Sequence, residues 1–142
     1  MMEDPPAVPA ICVYADEAGL SHLIDVRLPA LAQVRDEHGK TRFVGANGAT
    51  TMGFVVGGQA MTDWHSSGMV GLSIVLQGAW DIEAGSGQRR VLETGSVLLM
   101  FDTHGQGHRS HSSGEAGCTV LGVGIDEATR ALYWDMVQQA IR

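Results

Sequence analysis

Cysteine is scarce in this chain: Cys12 and Cys118 stand alone, far apart in sequence and among apolar neighbours. A small secreted domain held by disulfides would carry more of them, so both read as buried free thiols and the expected compartment is the cytoplasm. Basic residues are few as well, with Lys+Arg at 9 against Asp+Glu at 16 and a formal net charge of −7 at pH 7. No local cluster of Lys or Arg offsets that balance, and no nucleic-acid partner is expected. Long apolar runs are missing: the longest charge-free one, around 97–101, falls far short of the roughly 20 residues of a membrane span, so no membrane partner is expected either. The N-terminus, Met1-Met2-Glu3-Asp4-Pro5-Pro6, is acidic where a secretory signal would be basic and then apolar, and residues 1–9 read as a flexible leader. Also absent are a P-loop, a dinucleotide glycine fingerprint, a Gly-x-Ser-x-Gly elbow, a tight zinc spacing of cysteines and any solenoid-like repeat.

What the chain does have is apolar content for one core, hydrophobic residues making up 44% against 18% charged over 142 residues, the size of one domain. It also has 19 glycines, roughly twice average usage and without a collagen period, which point to many tight turns and therefore many short strands. Strand patterns fall at 10–14, 21–28, 50–56, 69–76, 80–84, 90–93, 96–101, 108–112 and 118–125, with a hairpin turn at Gly85-Ser86-Gly87. The stretch 30–48 is polar and irregular. Turns recur about every ten residues and no helical pattern interrupts them, so the fold class predicted for 10–125 is an all-β antiparallel sandwich or small barrel. After it, Asp126 can cap a helix over 127–141, with Leu132, Met136, Val137, Ala140 and Ile141 on one face.

Histidine carries the chemistry, since imidazole can ligate a metal or exchange a proton near neutral pH. Of six histidines, His65 follows Asp63-Trp64 at the head of one strand, and His104, His108 and His111 surround another. His22, His38 and His111, each alone, read as polar residues satisfied at strand ends. Asp63 and Asp102 read as turn carboxylates accepting backbone N–H bonds. If His65 faces the interior, Ser67, Met69, Gly71, Ser73 and Val75 share its face, small and mixed enough to leave room for a ligand, unless Trp80 or Met100 fills the space. Trp64 and the out-of-phase Leu72, Ile74 and Leu76 then face outward, toward a second subunit or, for Trp64, under the chain's own first strand.

On these residues the chain resembles the cupin superfamily. Its first motif, Gly…His-x-His…Glu…Gly, is matched by His65-Ser66-Ser67, by Gly71 in the glutamate's place and by closing Gly78. Its second, Gly…Pro-x-Gly-x-x-His, is matched by Gly95 and by Thr103-His104-Gly105-Gln106-Gly107-His108. A nearer resemblance is to a group of short bacterial cupins reading Asp-Trp-His and then Asp-Thr-x-Gly-x-Gly-His, here Asp63-Trp64-His65 and Asp102 to His108. The opening segment 13–23 also looks like that group's first strands. The resemblance covers about 11–28 and 60–125 and implies a cupin-type β-sandwich or jelly-roll barrel, followed here by a short helix over 126–142, and a homodimer.

A complete cupin metal site would use three histidines and a glutamate. This chain keeps His65 and His108, with Ser67 and Gly71 in the other places, so no cofactor is expected and a divalent metal, if held by His65 and His108, only at low occupancy. The reading that follows is a small-molecule enzyme of lyase or isomerase type, with His65 and His108 as the proton-transfer pair and Ser67, Met69, Gly71, Ser73, Thr103 and His104 around the substrate. A non-catalytic binding or sensing cupin and a metal-dependent dioxygenase or isomerase with an incomplete ligand set are the alternatives.

Overall fold

In a computed structural model the described residues are 7–28, 32–45, 48–57 and 62–142, with backbone alone for 113–116. Residues 1–6 of the expected leader lie outside them. Pro9, within that leader, already opens the first strand. The elements are β1 (Pro9–Ala15), β2 (Ser21–Arg27), β3 (Ala32–Arg35), β4 (Thr41–Val44), β5 (Ala49–Gly57), β6 (Gly71–Ala84), β7 (Arg89–Leu92), β8 (Val97–Phe101), β9 (His108–Ile125) and α1 (Glu127–Ile141). The fold is all-β with one C-terminal helix.

One sheet runs β2-β1-β8-β6-β9-β5, with β7 also paired to β6, and β3–β4 form a separate two-stranded sheet. The expected purely antiparallel arrangement needs one correction. β1 and β8 run parallel, Ile11 beside Leu98 through Tyr14 beside Phe101. A parallel pair needs a long crossover, and most of the chain lies between these two strands. Two further corrections concern lengths: the segments expected at 69–76 and 80–84 are one strand, β6, and those at 108–112 and 118–125 are one strand, β9. The two strands pair on both sides of register shifts between Val75 and Gln77 and between Gly78 and Ala79, and at the second β9 passes from Cys118 to Ser113 with 114–117 left out of the β6 register. The stretch expected to be irregular holds β3 and β4.

Where both faces of the sheet are covered, consecutive residues are buried. Cys12 and Val13 on β1, and Leu98 and Leu99 on β8, are each fully buried. Successive strand side chains point to opposite faces, so each pair feeds two cores. One core gathers Cys12, Val26, Leu99 and Phe101 beneath Tyr133 and Val137 of α1. The other gathers Val13, Leu98, Val75, Ile82 and Leu92 on the opposite side.

Asp126 caps α1, its carboxylate accepting from the Thr129 N–H at 2.9 Å. The buried stripe of the helix is Thr129, Tyr133 and Val137, an i, i+4, i+8 line. That corrects the expected face: Leu132, Ala140 and Ile141 are exposed, while Val137 and, in part, Met136 pack inward. Leu72 is also turned inward to that core, and Trp64 lies under the Arg109 guanidinium, 4.9 Å from its ring centroid. Among the described residues no helix is long and apolar enough to cross a membrane.

Candidate active site

The site begins with a backbone contact. His65 and His108 form an isolated antiparallel bridge in which the His65 N–H donates to the His108 carbonyl at 3.0 Å and the His108 N–H donates to the His65 carbonyl at 2.9 Å. Residues paired in this way project their side chains to the same face, and the two imidazole centroids lie 4.6 Å apart with the rings inclined by 58°. Gly107 makes the approach feasible. Its φ is +75°, and a Cβ there would come within 1.8 Å of the His65 carbonyl oxygen. The loop before it is pinned by buried Ser21, whose hydroxyl donates to the Gly107 carbonyl at 2.6 Å and accepts from the Gly85 N–H at 2.7 Å.

Each ring is held through Nδ1. His65 Nδ1 lies 2.8 Å from the Asp63 carbonyl oxygen, which can only accept, so this nitrogen carries the hydrogen. His108 Nδ1 lies 2.5 Å from Asp102 Oδ2, and the other carboxylate oxygen accepts the Ser67 hydroxyl at 2.7 Å. The Ser67 N–H also donates to the Asp102 carbonyl at 2.9 Å. In the neutral rings Nε2 is therefore the bare nitrogen in both. The environments differ: Asp102 is fully buried and His108 is 2% exposed, whereas His65 is exposed at the rim.

Both imidazoles line a cavity of about 510 Å³, within the size range of small-molecule sites. Ser67, Met69 and Ser73 line it with them, as do Trp80 and Met100, which flank the space without filling it. Three expected site residues lie elsewhere. Gly71 points at β9, where a Cβ would meet the Val123 carbonyl oxygen at 2.5 Å, so glycine here permits close strand packing. Thr103 and His104 are exposed on the far side of the loop, and His104 Nε2 approaches the Asp16 carbonyl at 3.3 Å. Ser67 is also reassigned in part: its hydroxyl is committed to Asp102, so it holds the carboxylate.

Asp102 is more than a turn carboxylate: it bonds the His108 ring six residues on, across the Gly-bearing loop of the Asp102-to-His108 motif, and the Ser67 hydroxyl 35 residues away. Ser110 and Ser112 on the cavity wall follow His108 at period two and were legible by alternation. His111 and Cys118 also reach the wall. Cys118 accepts from the Ser112 hydroxyl at 3.2 Å. Burial first, and the Asp102 carboxylate second, push the Cys12 thiol far up, so it stays protonated. At the edge of the site Arg109 stacks on Trp64 and pairs with Glu83, whose carboxyl is held below its ordinary range chiefly by that hydrogen bond.

A metal implied by the cupin resemblance does not fit this donor set. His65 and His108 offer two Nε2 atoms, Gly71 offers nothing, and the Ser67 hydroxyl and Asp102 carboxylate are engaged with each other. Among the described residues no group of three His, Cys, Asp or Glu side chains is placed to hold an ion.

No protein-family profile matches the chain, and no curated protein matches it in sequence. Among solved structures, it is similar to a crystal structure of a protein designated ethanolamine utilization protein Q, from Salmonella typhimurium LT2. That likeness spans 84% of this chain and 97% of the other at 14% identity, with a TM-score of 0.40.

Proposed function

We propose that this chain binds a small organic molecule in the cavity beside His65 and His108 and transfers a proton to and from it, as a lyase or isomerase does. The observation that carries this reading is the buried Asp102 carboxylate on His108 Nδ1, with a second, differently exposed imidazole 4.6 Å away on the same cavity wall. Two rings in unlike surroundings can divide the work of base and acid. His65, neutral and bare at Nε2, takes a proton from the substrate. His108, with Asp102 compensating the charge of its protonated form, returns one at a second atom. Asp102 and Ser67 do not touch substrate in this scheme and act as positioning residues.

The second reading is a binding or sensing module in which the same cavity only holds a ligand. It is favoured by how many wall hydroxyls are already engaged within the protein, Ser112 on the Gly57 carbonyl and Thr62 on the Ser110 carbonyl. Incubating the protein in deuterium oxide with a panel of carbonyl and hydroxy-acid compounds separates the two. Deuterium entering one compound, and ceasing to enter with His65→Gln or His108→Gln, supports proton transfer. A compound that binds with no exchange in the parent protein supports the binding module.

A further inference from the structure

Two parts of the described chain are built without a partner. β3 and β4 pair only with each other, from Ala32 beside Val44 to Arg35 beside Thr41. Their turn is complete, with Asp36 Oδ1 accepting the His38 N–H at 2.9 Å and the Lys40 N–H at 2.8 Å. Yet every residue of the two strands is exposed except half-buried Phe43, and no hairpin residue enters either core. A lone two-stranded hairpin is marginally stable at best in water. The other orphan is β5, the outermost strand of the large sheet, paired on one side by β9. Met52, Phe54, Val55 and Val56 are 71%, 62%, 63% and 80% exposed, on both faces of the strand.

Soluble proteins blunt such edges with charge or proline, and Ala49–Gly57 contains neither. The apolar outer face continues inward, Phe54 lying beside Leu121 and Leu121 beside Ile74 across three strands. On a chain of net charge −7, this uncharged strand lets two like-charged copies meet with no charges opposed. An edge row of N–H and C=O groups is also complementary to itself under two-fold, antiparallel pairing.

We propose that two copies of this chain join by antiparallel pairing of their β5 edges, and that each copy's β3–β4 hairpin covers the open side of the other's cavity. The hairpin leads into β5 at its Ala49 end, and antiparallel pairing sets that end beside the partner's Gly57 end. Val55 and Gly57 line the cavity, whose rim also carries exposed His65 and Met69. The second copy would thus complete the enclosure of the histidine pair, whatever reaction that pair performs.

Light scattering at micromolar concentration should give twice the 15.1 kDa chain mass. Met52→Lys with Val56→Lys, at exposed positions, should return the single-chain mass with an unchanged far-ultraviolet circular dichroism spectrum, and the melting temperature should lose its dependence on protein concentration. Replacing residues 32–44 by a short Gly-Ser linker should keep the dimer and speed maleimide labelling of cavity-lining Cys118 several-fold. If the shortened chain does not fold, a mixture of full-length Val34→Cys and Val55→Cys chains answers the same question, a bis-maleimide joining unlike chains. A single-chain mass for the parent protein, a dimer indifferent to the two lysines, unchanged Cys118 labelling in a folded shortened chain, or no cross-link between unlike chains overturns the proposal.

Discussion

The peptide groups of His65 and His108 hold each other through two hydrogen bonds, at 3.0 and 2.9 Å, and this exchange sets the distance between their rings. The first bridge partner precedes β6 and the second opens β9.

The bridge depends on Gly107. Gly107→Ala combines a left-handed φ of +75° with a Cβ 1.8 Å from the His65 oxygen, while Gly39→Ala has a similar φ of +76° and nothing within 4 Å. The backbone conformation alone costs about 1–2 kcal/mol. Thermal or urea unfolding should show that loss at Gly39 and a clearly larger one at Gly107, and ligand binding should suffer only in the Gly107 variant. Equal losses at the two positions would mean that the bridge tolerates being pushed apart.

Asp102 holds His108 in one tautomer. Asp102→Asn keeps the size and can still accept the Nδ1 hydrogen, so folding should survive with a loss of about 1–3 kcal/mol for the weakened buried pair. Turnover, once a substrate is found, should drop by roughly 10² or more, as when an acid–base group is disabled. The shape of the pH–rate profile should change with it, which a merely structural role would not produce.

Acid should weaken the fold through three carboxylates. Asp16, Glu83 and Asp126 are all held below their ordinary range, by the His22 hydrogen bond, the Arg109 hydrogen bond and the Thr129 N–H respectively. A depressed native pKa gives stability that is present above the unfolded-state value, about 4 for a carboxylate, and lost as pH falls through the native one. The melting temperature should therefore fall steadily below about pH 4, and Glu83→Gln should flatten part of that slope. A melting temperature constant down to the acid limit contradicts the assignment.

Much of the architecture is legible in the sequence because its strands are bounded by glycine turns and its helix by an aspartate cap. The exceptions have local causes. β3 alternates, Ala32 and Val34 against Gln33 and Arg35, but four residues are too few to set a period, and β4 mixes Thr41 with Phe43 and Arg42 with Val44 on its two faces. Gly78 and Gly117 punctuate β6 and β9 as if each were two strands, yet the pairing continues past a register shift. The buried stripe on α1 follows Tyr133 because the helix packs alongside β2, over the core that holds Val26 and Leu28, which the helical pattern alone does not reveal. In the site, alternation assigns Ser73; Ser110 and Ser112 escaped the sequence reading although they follow His108 at period two, and Asp102 meets Ser67 across 35 positions. Long-range contacts of that kind are set by the packed sheet.

Metal content follows from the donor set. Protein purified without chelators should carry well under one equivalent of iron, manganese, nickel, copper or zinc, because two imidazoles fall short of the usual complement. Stoichiometric metal that disappears with His65→Ala would reverse this.

The shared cavity itself is tested most directly by nitrogen-15 spectra of the histidine side chains, recorded during a screen of small organic fragments. At neutral ring charge, His65 and His108 should both carry hydrogen on Nδ1 and none on Nε2, and a fragment that binds should move both Nε2 signals together while leaving His38 and His104 in place. Fragments that bind and shift only one of the two rings, or a hydrogen found on Nε2 of His108, would contradict a single site built from this pair.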